Sequence, residues 1–464
     1  MSDAVYSLSE IPEHSDNPLI EALPPIKKPI ETVRSIINTP ELPNEDTALA
    51  SSVRIHLLNR INQVIQPFQS HIQIEQSISI LIRNGYLGRN PFNATTVRHL
   101  HTINQRIHSG FNSTASSGCV FGLSGMGKTT AVTSILKTYP QIITHNKYKD
   151  RAFIQKQVVW LKIDSPADGS IKSLCCSFIR ALGAALCDEK IVDQARTLRS
   201  TSQLIQTMSQ LASTYYLGLL VVDEIQTLNR TRAGRESLLD HLLILINEIG
   251  IPILFVGTFS AIRLFDGNLR TTRRMCGMGM IAMDRFESTD PEWNGLIEKL
   301  WKYQWVHHPI ELTDSIKKTI YDLTQGITDL LVKLLISAQY SVIGSRNEEI
   351  NESVLMKVFE NRLSPLKPAM DALRSGGYKS KDLYEDLLPS KALISSMMNT
   401  PFAVCRDISE LISNIEGNYP PTPTKTINRA PTTKIKAPKK PPKDIIDMTK
   451  WVAKNALEFS GSIE

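Results

Sequence analysis

A glycine-rich stretch at residues 122–130 reads Gly-Leu-Ser-Gly-Met-Gly-Lys-Thr-Thr and matches the pattern G-x-x-x-x-G-K-[ST]. Glycines allow the backbone N–H groups at the start of a helix to turn inward onto phosphate oxygens. Lys128 would then place a cation on the β- and γ-phosphates, and the Thr129 hydroxyl would bind Mg²⁺. The stretch predicts a site for ATP and Mg²⁺, although a glycine-rich turn without function is the alternative. The predicted nucleotide contacts are Gly122, Ser124, Gly125, Met126, Gly127, Lys128, Thr129 and Thr130.

Two carboxylates follow an apolar run in the segment Leu219-Leu-Val-Val-Asp223-Glu224, and Asp223 lies 95 residues after Lys128. A strand that is apolar throughout is typically buried on both faces, and ligands of open α/β sheets bind where such strands end. We expect Asp223 to hold Mg²⁺ and Glu224 to polarise the attacking water as a general base. The alternative is a strand that runs into a capped helix.

Thr258 follows a second apolar strand, Ile253-Leu-Phe-Val-Gly257. Its hydroxyl is predicted to orient the lytic water or to sense hydrolysis, unless it caps a helix that starts near Ser260. Farther along, Arg270, Arg273 and Arg274 close the next helical segment. Clustered guanidinium groups suit a phosphate that is presented across a subunit interface, so one of them is a candidate arginine finger. A solvated basic helix end is the alternative, and the sequence does not distinguish which arginine would act.

Lys333 lies on a mostly apolar helical stretch at residues 326–334. A lysine in this setting could touch a nucleotide from above as part of a lid. An ordinary amphipathic helix, whose lysine reaches solvent along its aliphatic stem, has the same pattern.

The elements that must position these residues alternate between strand and helix patterns from residue 119 to residue 283. Predicted strands cover 119–121, 157–163, 219–222, 252–256 and 279–283, with helices over 129–137, 171–186, 203–215 and 236–249 between them. After residue 288 only helical patterns remain. The expected fold class is α/β, a parallel sheet sandwiched by helices, with an all-helical lid, an N-terminal helical extension and a flexible C-terminal tail.

Composition shifts divide the chain into four predicted regions. The first fifty residues contain nine acidic, three basic and seven Pro residues, which disfavours a compact core and predicts an arm along a partner or along its own body. Residues 417–443 contain seven Pro, six Lys and one Arg without an acidic residue, which predicts a semi-extended linker. The regions are 1–90, an acidic arm with helices for partner contact; 91–288, an α/β ATPase core; 289–400, a helical lid; and 401–464, the Pro/Lys-rich linker with a terminal helix.

The overall composition is that of an ordinary globular chain of 464 residues, 42% apolar and 21% charged. Lys and Arg exceed Asp and Glu by 52 − 46 = 6, and the basic linker holds more than that excess, so any nucleic-acid contact by the folded body must come from local patches. No apolar run is long enough to span a bilayer, and no secretory signal is visible at the first residues. The six cysteines show no zinc spacing, and we expect reduced thiols in a cytoplasmic protein without membrane partners.

The combination of phosphate loop, Asp-Glu strand, threonine, arginine-bearing segment and helical lid resembles an AAA+ ATPase. Five stretches resemble, more closely, the TnsC family, the ATP-dependent regulators of heteromeric DNA transposons that include those allied to CRISPR effectors. The resemblance covers about residues 15–390. The stretches are residues 17–25 (NPLIEALPP), 82–91 (IRNGYLGRNP), 217–226 (LGLLVVDEIQ), 325–333 (QGITDLLVK) and 366–376 (LKPAMDALRSG).

The resemblance implies a protein that binds ATP and oligomerises as a ring or helical filament on double-stranded DNA. It would link a target-selector protein to the transposase subunits, with hydrolysis as the switch that disassembles or limits the assembly. Family members contact DNA near the loops after the first two strands, where this chain carries Lys147, Lys149, Arg151 and Lys172. These residues are the predicted phosphate contacts, and solvated surface cations are the alternative. The acidic arm could meet the target selector. The basic linker with its terminal helix could reach the transposase; the alternatives are that the helix docks on its own subunit and that the linker lysines hold DNA.

Two other classes of protein use the same motifs. One is a helicase loader or remodelling AAA+ motor that translocates on duplex DNA or opens it. The other is a signalling ATPase whose oligomerisation triggers an effector domain, but no effector domain is recognisable beyond the lid. No nuclease or transposase carboxylate set is visible either, so DNA cleavage is expected to belong to another subunit.

Overall fold

The structure is a computed structural model that describes residues 2–102, 111–230, 232–264 and 273–375. The candidate finger Arg270 lies outside the described residues. The region 401–464, with its Pro/Lys-rich linker and terminal helix, also lies outside them.

A five-stranded parallel sheet forms the centre of the fold, with the strand order β5-β6-β7-β2-β8. Strands β2, β6 and β7 are buried at every position, which explains the apolar runs 119–121, 219–222 and 253–256 within them. The predicted fold class, a parallel sheet between helices, is confirmed. The strands of the described residues are β1 (Ser2–Asp3), β2 (Ser117–Gly122), β3 (Ile142–Tyr148), β4 (Arg151–Val158), β5 (Trp160–Asp164), β6 (Leu219–Asp223), β7 (Ile253–Thr258) and β8 (Met280–Met283).

A second sheet, of three strands in the order β1-β3-β4, was not expected from the sequence. The single strand predicted over 157–163 is divided, because Val158 pairs with Ile142 in the small sheet whereas Trp160 pairs with Leu219 in the large one. Val159 lies between the two sheets, and its N–H donates to the carbonyl of Gln141 at 2.9 Å. The chain therefore passes from one sheet to the other within two residues.

Helices cover the large sheet, and four of them, α6, α7, α9 and α10, overlap the four helical ranges predicted for the core. Helices α4 and α6 contact each other and the sheet, while α7 packs on β5 together with α8, α9 and α10. Helix α8 was not predicted, although Asp188 caps its N-terminus by accepting from the N–H groups of Lys190 and Ile191. The helices of the core region are α1 (Pro18–Glu21), α2 (Pro29–Ile36), α3 (Ser51–Leu57), α4 (Gln69–Leu87), α5 (Ala94–Thr102), α6 (Lys128–Leu136), α7 (Ile171–Leu186), α8 (Glu189–Thr197), α9 (Thr201–Thr214) and α10 (Arg232–Ile244).

The N-terminal segment lies along its own body, although its composition disfavours a compact core. Leu19, Ile20 and Leu23 are buried, and the Asn17 side chain donates to the carbonyl of Tyr86 at 2.8 Å. The buried carboxylate of Glu21 accepts from the Tyr148 hydroxyl at 2.9 Å. A short apolar patch and satisfied polar groups are thus enough to attach this acidic segment.

The described chain after β8, which ends at residue 375, is helical, as predicted. Its elements are α11 (Pro291–Trp301), α12 (Asp314–Thr324), α13 (Thr328–Val342), α14 (Glu352–Arg362) and α15 (Lys367–Ser375). Helix α13 contacts the 3₁₀ turn Leu58–Gln63, so this helical part reaches back to the N-terminal region. Across the described parts of the chain, no helix combines the length and apolarity that crossing a membrane requires.

Candidate functional site

The phosphate loop connects the end of β2 to the start of α6. Gly127 is the N-cap residue of α6 and has φ 80°, a left-handed conformation that glycine adopts without steric cost. Lys128 is almost fully buried, and its ammonium donates to the carbonyls of Gly122 at 3.1 Å and Leu123 at 2.8 Å. The loop backbone therefore holds the lysine amine against the residues that are predicted to surround phosphate.

The carboxylate of Asp223 lies at the carboxyl end of β6 and is buried. Its Oδ2 atom accepts from the Thr129 hydroxyl at 2.9 Å, and its Oδ1 atom accepts from the Glu224 N–H at 2.9 Å. The structure thus brings together the two predicted Mg²⁺ ligands. Hydroxyl and carboxylate oxygens are the donors that Mg²⁺ prefers, and Mg²⁺ usually completes its shell with water and substrate phosphates. The donor set therefore fits Mg²⁺.

Lys162 is a charged neighbour of this carboxylate that the sequence analysis missed. Its Nζ atom lies 2.9 Å from Asp223 Oδ2 and 3.6 Å from Asp164 Oδ1. Partial burial acts to lower the pKa of Lys162, but the hydrogen bond and charge of Asp223, together with Asp164, raise it above its ordinary value. The amine therefore stays charged beside the predicted metal ligand. Its position follows from the pairing of β5 with β6, which places Asp164 opposite Asp223.

Glu224 leaves the end of β6 with φ 55°, an uncommon conformation for a residue with a side chain. Its exposed carboxylate accepts a hydrogen bond from the side-chain amide of Gln226. Strand β7 ends at Thr258, which lies opposite Gly122 in the parallel pairing with β2. The predicted general base and Thr258 therefore both lie at the carboxyl edge of the sheet, beside the start of the phosphate loop.

The Thr258 side chain is buried, and its hydroxyl lies 2.8 Å from that of Ser260. The following residues, Phe259–Leu264, form a 3₁₀ helix. This geometry is compatible with both alternatives for Thr258, because the hydroxyl contacts the first turn after the strand while the residue lies next to the phosphate loop.

The lid contacts the phosphate loop through the first residues of α13. The Gly125 carbonyl accepts from the Thr328 hydroxyl at 2.8 Å and from the Asp329 N–H at 3.0 Å. Lys333, the residue predicted to touch the nucleotide, forms an exposed ion pair with Asp329 at 2.6 Å, one helical turn farther on. Contact between lid and loop is thus made by Thr328 and Asp329, and the role of Lys333 stays a prediction.

A cavity of about 360 Å³ opens beside the phosphate loop, within the size range of small-molecule sites. Gly125, Gly127 and Thr130 line one side, and Val332 of α13 is part of another wall. Leu296 and Leu300 of α11 also line it. From the N-terminal region the lining residues are Ile61, Asn62, Val64, Ile65, Gln66, Phe68 and His71. The N-terminal region therefore lines the cavity beside the phosphate loop, which was not expected from the sequence.

Two polar side chains that line this cavity, Gln66 and His71, carry groups able to form hydrogen bonds. Gln66 Oε1 is buried and has no hydrogen-bond partner within the described residues. Burial lowers the pKa of His71 to about 4, so its ring is neutral, and Nδ1 accepts from the Phe68 N–H at 3.1 Å. The proton of the neutral ring is therefore on Nε2. The cavity can offer a hydrogen-bond acceptor and a donor to a ligand.

The remaining predicted site residues are placed apart from this cavity. Arg273 is exposed and Arg274 is half-buried, and the Arg274 carbonyl accepts from the Ser117 hydroxyl. The predicted DNA contacts Lys147 and Arg151 belong to strands β3 and β4, and Lys149 lies in the turn between them, so they are carried by a hairpin where an open loop was expected.

Each of the three hairpin cations predicted to contact DNA has a neighbour. Lys147 lies 3.8 Å from Asp150, Lys149 forms an ion pair with Asp16, and Arg151 lies over the ring of Phe92. Lys172 is exposed in the first turn of α7. These contacts are at the surface and leave the charged groups open to solvent.

Residues 110–265, which contain the phosphate loop, Asp223, Glu224 and Thr258, match the protein-family model described as an AAA domain. This chain contains an AAA ATPase domain. The match covers β2 to β7 and ends before the helical lid. No curated protein matches the chain.

The chain is also similar to several solved structures. The ORC1 protein of Aeropyrum pernix in complex with DNA is 13% identical, with a TM-score of 0.40, over 68% of this chain and 82% of that one. Drosophila ORC bound to DNA is 11% identical, with a TM-score of 0.39, over 82% and 87%. The Thermotoga maritima RuvB branch migration motor is 14% identical, with a TM-score of 0.33, over 71% and 95%.

Proposed function

We propose that this protein is an ATP-switched regulator of DNA transposition that assembles on double-stranded DNA and links a target-selector protein to transposase subunits. The observation that carries the ATP part of the proposal is the assembled edge of the sheet, where Lys128, Thr129, Asp223 and Glu224 meet. The DNA and transposition parts are supported by the sequence stretches that resemble the TnsC family.

Each residue at this edge of the sheet would have a distinct role in ATP hydrolysis. Lys128 and the loop N–H groups would bind phosphate oxygens, and Thr129 with Asp223 would hold Mg²⁺, which when bound offsets phosphate charge. Glu224 would accept a proton from the attacking water. Thr258 would orient that water from the neighbouring strand end.

The nucleobase would occupy the cavity between the phosphate loop, the N-terminal segment and α13. Gln66 Oε1 could accept from an exocyclic amine, and His71 Nε2 could donate to a ring nitrogen. Because Thr328 and Asp329 bond to the Gly125 carbonyl, the lid is expected to sense whether the loop holds phosphate.

An arginine from a neighbouring copy is expected to complete the site, with Arg270, Arg273 and Arg274 as the candidates. A site shared between two copies makes ATP occupancy and assembly one coupled equilibrium. The product would be a ring or a helical filament, with hydrolysis promoting its disassembly.

Double-stranded DNA is proposed to contact the exposed cations of the β3–β4 hairpin and Lys172. Contacts of Lys147, Lys149 and Arg151 with phosphates would be largely independent of sequence and sensitive to salt. Target choice would then belong to a partner protein.

The proposal is tested by comparing ATP binding, hydrolysis and DNA assembly in two variants. Lys128→Ala should lose ATP binding and ATP-dependent assembly on DNA together. Glu224→Gln should keep ATP binding, lose hydrolysis and form longer-lived DNA complexes. Normal assembly by Lys128→Ala, or faster dissociation of Glu224→Gln from DNA, would contradict the proposed switch.

The competing function, a helicase loader or remodelling motor, predicts a different result with the same protein. A motor should separate strands or displace a bound protein processively during hydrolysis. A regulator should coat duplex DNA in the presence of ATP without either activity.

A further inference from the structure

Gln226 joins the predicted general base to the end of the neighbouring strand. Its Nε2 atom donates to Glu224 Oε2, and its Oε1 atom accepts from the Thr258 N–H at 3.1 Å. One carboxamide therefore links Glu224, two residues earlier in the chain, with Thr258, thirty-two residues later.

Among the described residues, Gln226 is the hydrogen-bond partner that restrains the Glu224 carboxylate. The side chain is exposed, its backbone has φ 55°, and a glutamate has three side-chain torsions to restrict. Within the described residues, the other oxygen of the carboxylate, Oε1, has no hydrogen-bond partner. One oxygen is thus anchored while the other stays open to accept a proton.

Gln226 is in turn held from its far side. The N–H group that donates to Gln226 Oε1 belongs to Thr258, the last residue of β7. Strand β7 lies between β6 and β2 in the sheet. The preceding residue, Gly257, makes room for the carboxamide, since a Cβ atom there would lie 2.5 Å from Gln226 Oε1. Gln226 therefore occupies a fitted position at the sheet edge.

We infer that Gln226 is a positioning residue for hydrolysis. It orients the Glu224 carboxylate towards the attacking water and holds it in a fixed position relative to the end of β7, where Thr258 lies. This inference rests on the proposed role of Glu224 as general base. It adds a residue outside the phosphate loop and the Asp-Glu pair to the machinery that sets the rate of hydrolysis.

The test compares Gln226→Leu and Gln226→Glu with the wild type and with Gln206→Leu, which replaces an exposed glutamine on α9. Leucine removes both hydrogen bonds. Glutamate can still accept from the Thr258 N–H but would repel Glu224. Because general base catalysis contributes roughly 10²–10⁴-fold, misaiming the base should lower kcat at least about tenfold in both Gln226 variants. The Kd for ATP should stay unchanged, and Gln206→Leu should behave like the wild type.

A double-variant cycle with Glu224→Gln separates positioning from structural damage. If Gln226 acts through Glu224, Gln226→Leu should cause no further loss of kcat once Glu224→Gln is present. Unchanged kcat in Gln226→Leu, a parallel loss of ATP affinity, or an equal additional loss in the double variant would overturn the inference. Wild-type hydrolysis by Glu224→Gln would instead overturn the proposed role of Glu224 itself, so the two failures are distinguishable.

Discussion

Arg54 and Glu348 form a buried ion pair between the N-terminal helix α3 and the lid, and breaking it should destabilise the protein strongly. Both Arg54–carboxylate hydrogen bonds are short, 2.5 Å and 2.9 Å, and Arg54 also donates to the carbonyls of Leu49 and Trp305. Arg54 and Glu348 are 1% and 3% exposed, so water cannot replace the lost partner. The perturbation that we consider is Arg54→Met, which keeps an aliphatic stem of similar length.

The size of this destabilisation depends on the hydrogen bonds that Glu348 retains without Arg54. Removing one partner of a buried ion pair typically costs about 3–5 kcal/mol. Glu348 would still accept from the N–H groups of Gly344 at 2.6 Å and His307 at 3.2 Å. We therefore expect Arg54→Met to lower the free energy of unfolding by about 3 kcal/mol, at the lower end of that range. The double variant Arg54→Met/Glu348→Gln, which removes the charge as well, should recover about 1 kcal/mol or more.

The same pair predicts a pH dependence. The hydrogen bond from Arg54 lowers the pKa of Glu348 from its ordinary 4.5 to about 2. A carboxylate with a lowered folded-state pKa stabilises the protein above its unfolded pKa, and this contribution is lost as pH falls from about 4.5 towards 2. The difference between Arg54→Met and the wild type should therefore be largest near neutral pH and should shrink in acid.

The assay is urea unfolding followed by tryptophan fluorescence at pH 7 and at pH 4 and below. Arg196→Met is the control, because its ion pair with Asp193 is 70% and 60% exposed and should contribute less than about 0.5 kcal/mol. A cost below 1 kcal/mol for Arg54→Met, or a difference from the wild type that grows in acid, would refute this reasoning.

Three further predictions concern the nucleotide site. Lys162→Met removes a cation beside Asp223, so ATP should bind at Mg²⁺ concentrations roughly three- to tenfold lower than in the wild type. Calorimetric titration of ATP at several Mg²⁺ concentrations measures this requirement. A higher Mg²⁺ requirement in the variant would contradict the prediction. Thr328→Val removes one hydrogen bond to the Gly125 carbonyl, worth about 1 kcal/mol, and should weaken ATP binding about fivefold without changing the affinity for Mg²⁺. An unchanged Kd for ATP would show that this contact between lid and phosphate loop does not contribute to ATP binding. Gln66→Leu removes a buried, unpaired oxygen and should raise the free energy of unfolding without nucleotide by about 1 kcal/mol, while it lowers the affinity for ATP. If stability and ATP affinity both rose or both fell, Gln66 would be excluded as a contact of the base.

The sequence alone determined the parts of this protein that depend on local spacing. Gly122 to Thr130 specify a strand, a loop and a helix start within nine residues, and the apolar run before Asp223 specifies a buried strand with carboxylates at its end. Helix spacing located helices of the core closely; α7 spans Ile171–Leu186, the predicted range. In each case the information lies within one element, because burial imposes a period of hydrophobic residues on the chain itself.

Only the tertiary structure decided which distant residues join the site. Lys162 reaches Asp223 through the register of β5 with β6, and Gln226 reaches Thr258 because β7 lies beside β6. Gln66 meets the phosphate loop at a cavity that the N-terminal segment, the loop and the lid form together. Nothing in the local sequence around these residues distinguishes them from ordinary polar positions. Their roles arise from strand order and packing, which depend on contacts between segments far apart in the chain.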